Sequence, residues 1–262
     1  MRTFLIVGLL SLLSAPLAAQ QGGGLRLDLN IPALRLNVYE GDHLVRSYPV
    51  AVGMPGHDTP TGSFTITHAQ WNPWWRPPAR EWAKNEKDTP PGPNNPMGRV
   101  KLFFAPYYFI HGSPEEASIG TPASHGCVRM LNRHAIELAR LVHSYAAPSI
   151  TEDDIDGILS NSRRTRRVGF DNTIPLVIRY DPVVVADGEL RVYPDFYGYN
   201  AIHTEGVYQA LLRAGYDVDD VRAEDIDALI EAAKGHDGTY TVKVAEAFDG
   251  RADVKLGVAA GR

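Results

Sequence analysis

One cysteine, Cys127, occurs in 262 residues. A single thiol cannot close an internal disulfide, so no covalent cross-link within the chain helps to hold the fold. Charge of one sign is scarce too. Twenty-six Lys and Arg against 31 Asp and Glu leave a formal net charge of −5. That is not the basic excess a nucleic-acid partner requires, and none is expected. No internal repeat is visible, and nothing in the composition suggests a disordered or collagen-like chain. With 44% hydrophobic residues the chain can bury one sizeable core, or one core with a small appendage.

The first residues, "MRTFLIVGLLSLLSAPLAAQ", read as a cleaved secretory signal over 1–19. Arg2 is a short positive region, Phe4 to Leu13 is an apolar run short for a bilayer, and "PLAAQ" offers small residues for cleavage after Ala19. An uncleaved anchor is the alternative. No cysteine follows the apolar run, which sets aside a bacterial lipoprotein. Loss of this segment removes Arg2, so the mature chain carries −6, one cation fewer than the whole chain at −5. The expected location is the periplasm or cell envelope. An unpaired thiol in an oxidising compartment is a liability, which favours a chemical role for Cys127.

Alternation dominates the first third. In "LRLDLNI" (25–31) Leu25, Leu27, Leu29 and Ile31 alternate with polar residues, the period of a half-buried strand. "LRLNVYE" and "HLVRSYPVAVG" repeat it on either side of Gly41-Asp42, a hairpin signal. "TPTGSFTIT" and "VKLFFAPYYFIHG" add further strand chemistry. The pattern becomes helical at "NRHAIELARLVHSY", where Asn132 is placed to cap, Leu131 and Ile136 to staple, and Ala135, Leu138, Ala139 and Val142 to form an apolar face. "TEDDIDGILSNS" is a second acid-capped segment running into the basic "RRTRR" (163–167). Two strands are expected around Asp187-Gly188. Residues 216–237 hold eight acids and two bases, a solvated face, and 201–262 are expected as an appendage or loosely packed tail.

Residues 71–98 differ from the rest, with seven prolines and all four tryptophans. Pro-Pro, Pro-Gly and Asn-Pro steps exclude long regular elements, leaving a long loop that is either functional or a packed cover.

Cys127 lies in "IHGSPEEASIGTPASHGCVRM", with His125 two residues before it and His111 sixteen before it. A thiol is a nucleophile only as thiolate, and a nearby histidine can take its proton. His111 ends an apolar strand, and Gly126 permits a tight turn whose amides can converge on an oxyanion. The imidazole needs an orienting acceptor, for which Glu115, Glu116 and the carbonyl of Gly112 are candidates. Two other readings of these residues stay open: a buried core cysteine with satisfied histidines, and a zinc site of His111, His125 and Cys127 lacking an evident fourth ligand. The other seven histidines have no motif context.

At these residues the chain resembles the L,D-transpeptidase (YkuD-type) family. His111-Gly112, then "SHGCVRM" beginning at Ser124, looks like that family's catalytic signature. "TPTGSFTIT" resembles its upstream turn and strand, and "NPWWRPP" with "PPGPNNPMGRVKL" the substrate-side loop of its ErfK-like members. The resemblance covers about 25–145; 154–200 resemble a C-terminal extension of larger members, and 201–262 resemble no identifiable family. Arg129 stands where the family often has Asn, although the Arg form is also common.

The resemblance implies a mainly β fold: a sandwich-like mixed-sheet catalytic domain over 25–180 with a short motif helix, and a C-terminal α/β extension over 181–262. It implies no cofactor and no metal. Cys127 would be the nucleophile and His111 its base, with Gly112 holding the ring. Ser124 and His125 would shape the turn, and Gly126 and Cys127 would supply oxyanion amides. Arg129 would steady the loop or meet a substrate carboxylate. Trp71, Trp74, Trp75, Asn94 and Tyr108 are expected to line the substrate site. The implied substrates are peptidoglycan stem peptides and an amine acceptor (a second stem, a protein lysine or a D-amino acid), with carbapenems as covalent inhibitors. A same-fold hydrolase and a wall-binding protein with an idle site are the alternatives; the intact Cys127 and His111 pair argues against the latter.

Overall fold

The computed structural model describes residues 24–252; the expected signal segment at 1–19 lies outside the described residues. Alternation becomes strand where it was expected. β1 (Leu25–Asn30) pairs with β2 (Arg35–Glu40), which turns through Gly41-Asp42 into β3 (His43–Pro49). Gly41 takes a φ of 58°, the left-handed conformation that this two-residue turn demands. β4 (Val52–Gly53) is short, and β5 (Gly62–Trp71) is the "TGSFTIT" strand extended.

"VKLFFAPYYFIHG" is a hairpin rather than one strand: β6 (Val100–Ala105) and β7 (Tyr108–Ser113) fold back at Pro106-Tyr107. β8 (Pro122–Ser124) and β9 (Val128–Leu131) bracket the cysteine turn, and α1 (Asn132–Ala146) follows. α1 buries the predicted Ala135, Leu138, Ala139 and Val142. Asn132 does not cap it. Its side chain instead accepts from the Arg99 amide and donates to the Ser113 carbonyl. α2 (Glu152–Ser160) is capped by Thr151 in a reciprocal box with Asp154. The end of the basic stretch is already strand, because β10 runs from Arg166 to Arg179.

These strands make one eight-stranded mixed sheet in the order β3-β2-β1-β10-β5-β6-β7-β9. β1–β10 and β7–β9 are parallel, and the other pairs are antiparallel. β3 and β9 are the two edges. Two residues after β3 the chain reaches Ala51, which exchanges both backbone hydrogen bonds with Arg129 of β9. The sheet therefore curls almost to closure, and one sheet supplies both layers around a core that includes Leu27, Leu29, Ile66, Leu102, Ile110, Met130 and Leu138.

The last part of the described chain is not a loose tail. β11 (Val183–Ala186) and β12 (Glu189–Val192) turn through Asp187 and Gly188, both at positive φ, as the dipeptide predicts. With α3 (Thr204–Arg213), α4 (Ala223–Lys234), β13 (Tyr240–Lys243) and α5 (Val244–Ala247) they enclose a second core around Leu190, Leu211, Ile226 and Phe248. The acidic run is the solvated side of α4 and of the segment before it. The apolar residues within it, Val221, Ile226, Leu229 and Ile230, were the signal that it packs.

Candidate active site

The strand period builds the floor of a cleft. Residues paired across a sheet point to the same face, and alternate residues along a strand share it. Arg167 pairs with Gln70, Gln70 with Lys101, Lys101 with His111, and His111 with Arg129. This row crosses five strands, and all five side chains line one cleft. The neighbouring row is His68, Phe103 and Phe109. Cys127 continues it, two residues before Arg129 and on the same face. Cys127, in the turn that leads into β9, and His111, on β7, thus line one cleft.

The opposite parity corrects one expectation. Trp71, next to Gln70, points into the core with no exposed surface, and its indole N–H donates to His143 Nε2 at 3.3 Å. Asn94 is exposed and is not part of the cleft wall; the buried asparagine of that loop is Asn95, whose amide donates to the carbonyls of Pro73, Thr89 and Pro90. Trp74, Trp75 and Tyr108 do line the cleft.

His111 is 1% exposed, and its Nδ1 lies 2.8 Å from the Gly112 carbonyl oxygen. A carbonyl only accepts, so Nδ1 carries the proton, and Nε2 of the neutral ring is free to accept one. The carboxylate candidates are not the partner: Glu115 is instead bound to Arg129 at 2.7 Å. Burial lowers the His111 pKa to about 4 and raises that of the Cys127 thiol to about 11. Burial thus favours the neutral form of each group, and the half-buried thiol lies 3.6 Å from the Tyr107 carbonyl. Gly112 is glycine because a Cβ there would collide with the Asn132 side chain.

The turn that carries the cysteine is held on both sides. Ser124 Oγ donates to the Cys127 carbonyl at 2.6 Å and accepts from the Gly126 amide at 3.0 Å. This occupies one of the two amides expected at an oxyanion. The Cys127 amide has no partner among the described residues and remains available. Gly126 has a φ of 103°, and a Cβ there would press on Tyr108 at 2.8 Å. His125 lines the same cleft as Cys127, with Trp82 stacked on it at 3.8 Å and His57 at its edge at 4.7 Å. His125 thereby ties the turn to the tryptophan-rich loop, which forms a wall of the cleft. Among the described residues no group of three histidine, cysteine or carboxylate side chains is placed to hold a metal, so His111, His125 and Cys127 are not a ligand set.

Sequence reading missed a support from the far end of the chain. Buried Thr59 donates its hydroxyl to the Gly126 carbonyl at 3.1 Å. Tyr197 OH accepts from the Thr59 amide at 3.1 Å and donates to the Gly53 carbonyl at 2.8 Å. The Tyr197 ring lies on Tyr180, whose hydroxyl donates to Asp195 at 2.7 Å. Tyr197→Phe leaves a buried amide unpaired, at a cost of about 1–3 kcal/mol. The expected result is a lower Tm and faster iodoacetamide alkylation of Cys127 as the turn loosens. Unchanged values of both would contradict the support.

The sequence model of the L,D-transpeptidase catalytic domain (YkuD) matches residues 25–185. A Bacillus licheniformis protein with the provisional name L,D-transpeptidase YkuD is 35% identical over 127 residues, 48% of this chain and 65% of its own. A Salmonella typhimurium protein named provisionally as L,D-transpeptidase ErfK/SrfK is 35% identical over 113 residues, 40% of this chain and 37% of its own. The match thus spans less than two thirds of either relative. A solved L,D-transpeptidase from Mycobacterium smegmatis aligns over 60% of this chain and 59% of its own at 16% identity, with a TM-score of 0.37; the assignment does not rest on it. Matched over more than half its length by that family's domain, the chain belongs to the YkuD-type L,D-transpeptidases.

Proposed function

We propose that the protein is an exported cysteine acyltransferase acting on peptidoglycan stem peptides, in the building of the cell wall and the upkeep of cell shape. The observation that carries this reading is the buried His111 ring, held through Nδ1 by the Gly112 carbonyl, in the same cleft as the lone thiol. The signal-like N-terminus supports export to the periplasm or envelope.

The donor is a tetrapeptide stem. His111 Nε2 takes the thiol proton as Sγ attacks the carbonyl carbon of the third residue, diaminopimelate, on its L-centre. The Cys127 amide stabilises the oxyanion. The C–N bond to D-alanine then breaks, the His111 imidazolium gives its proton to the leaving amine, and a thioester to Cys127 remains. An amine acceptor attacks the thioester, His111 removes the amine proton, and the thiol is regenerated. The acceptor is a second stem's diaminopimelate, a protein lysine or a free D-amino acid. Water in its place makes the enzyme an L,D-carboxypeptidase. The exposed rings of Trp74 and Trp82 and of Tyr107 at the rim suit extended, sugar-bearing donors.

Purified tetrapeptide muropeptides incubated with the protein should release D-alanine and give cross-linked or acceptor-bearing products by mass. Release of a linked protein or peptide without D-alanine would favour the hydrolase reading. The same thiol should open a carbapenem ring: intact mass is expected to rise by one carbapenem on the wild type and not on Cys127→Ala. The absence of any adduct under turnover conditions would count against the proposed acyl transfer.

A further inference from the structure

Three cations stand in the cleft row, but only one is paired. Arg129 is bound to Glu115. Lys101 and Arg167 have no carboxylate within salt-bridge distance among the described residues. Lys101 is the one next to the chemistry. It stands opposite His111 in the β6–β7 pair, and its Nζ lies over the rings of Phe109 and Phe103, 4.7 and 5.0 Å from their centroids. A half-buried ammonium resting on two aromatic faces has lost water and gained no anion. Burial lowers its pKa to about 8, which still leaves it largely protonated at neutral pH. Such a group is an anion site awaiting its anion.

The order of the strands says which anion. Cys127 leads into β9, His111 is on β7 and Lys101 on β6, so nucleophile, base and free cation follow one another across the sheet. Strands lie about 4.8 Å apart. Under the proposed reaction the acyl carbon is at Sγ, and the leaving nitrogen must come within hydrogen-bond reach of His111 Nε2. The carboxylate carbon of the leaving D-alanine is two bonds beyond that nitrogen, so a donor laid across the strands from Cys127 toward β6 brings its carboxylate toward Lys101. From this geometry we infer that Lys101 is the specificity-determining residue that reads the terminal carboxylate of the donor, in place of Arg129, which Glu115 already occupies.

This inference rests on the proposed function and deepens it. A stem ending in D-alanine presents a carboxylate to the ammonium. A stem with one more residue, or an amidated end, presents a neutral amide and leaves the cation buried and unpaired. That is the arrangement by which a site rejects a near-identical substrate. Pentapeptide stems are poor donors for the same reason.

The test compares the tetrapeptide stem with its C-terminal carboxamide. Release of D-alanine or D-alaninamide is measured for wild type, Lys101→Met and Lys101→Arg, with iodoacetamide alkylation of Cys127 followed against pH in each. Wild type should favour the free acid by about 10²-fold in kcat/KM, within the range for truncating one partner of a buried charge pair. Lys101→Met should bring the two substrates to near parity by losing the acid, and Lys101→Arg should keep the preference. Lys101 is the weakest of the groups that lower the Cys127 pKa, so the alkylation profile should move only slightly to higher pH in Lys101→Met and stay in place in Lys101→Arg. Preference for the acid surviving in Lys101→Met overturns the assignment and points to another reader. Equal loss on both substrates with a large shift of the alkylation profile also overturns it, because Lys101 then acts on the thiolate. Equal use of both substrates by wild type does the same. Release of nothing by wild type from either substrate removes the proposed function itself, and this inference with it.

Discussion

Cys127→Ala is expected to be folded and to release no D-alanine above background. No other cysteine exists to substitute for it, and the oxyanion amide has no covalent intermediate to act on without a nucleophile. The side chain is half-buried and lies 3.6 Å from the Tyr107 carbonyl, so its loss is on the order of 1 kcal/mol, or a few degrees in Tm. Activity and stability are thus predicted to separate cleanly. Retained turnover in Cys127→Ala, with a normal melt, would end the thioester mechanism.

His111→Ala should slow acylation of Cys127 by at least about 10²-fold, the lower range for a positioned acid–base group. The pH dependence carries more information than the size of the loss. Burial places His111 at about 4 and Cys127 at about 11, so both are neutral across the middle of the pH range. The wild-type acylation rate should be flat there and fall as pH drops through about 4, where Nε2 becomes protonated and cannot accept. A thiolate–imidazolium resting pair would instead give a thiol that alkylates readily at neutral pH. Stability follows the same group. The folded His111 pKa lies below the ordinary 6.5, so its contribution is fully present above 6.5 and is lost as pH falls through about 4. His111→Gln should therefore lose less Tm than wild type on acidification over that window. His125→Ala should also lower activity, by loosening the turn against Trp82, but should keep the acid limb. The acid limb lost in the His125 variant and intact in the His111 variant would reverse the two roles.

How much of this could be read from the sequence depends on how local each feature is. The His111-Gly112 step and "SHGC" are contiguous, and their chemistry survives in one dimension. The Gly41-Asp42 and Asp187-Gly188 turns were legible for the same reason, since the backbone conformation is fixed by two residues. The cleft floor was not legible. Lys101 faces His111 only because the chain folds back at Pro106-Tyr107, and that hairpin was hidden in a continuous strand-like run. The A-P-Y step within "FFAPYYF" was the signal that could have revealed it. Parity decided the fate of Trp71: an aromatic in a tryptophan-rich stretch looked like a substrate platform, but one residue of register puts it in the core. Arg129 was left between two roles because its partner, Glu115, lies across a turn whose course the sequence does not specify. Tyr197 was out of reach altogether, 138 residues from the Thr59 amide it binds.

The supporting shell also changes what the motif means. Ser124 takes the Gly126 amide, so the turn offers one free amide rather than two. His125, nearest the thiol in sequence, is engaged by Trp82 and His57, while the more distant His111 shares the thiol's face of the sheet.

The most direct measurement is the intact mass of the protein quenched early in its reaction with a tetrapeptide muropeptide. The expected species is the protein plus the donor minus D-alanine, mapped by peptide digestion to Cys127 and absent from Cys127→Ala. D-alanine released without that adduct in the wild type, or the same adduct on the Cys127→Ala variant, would contradict the central claim that Cys127 carries the acyl group.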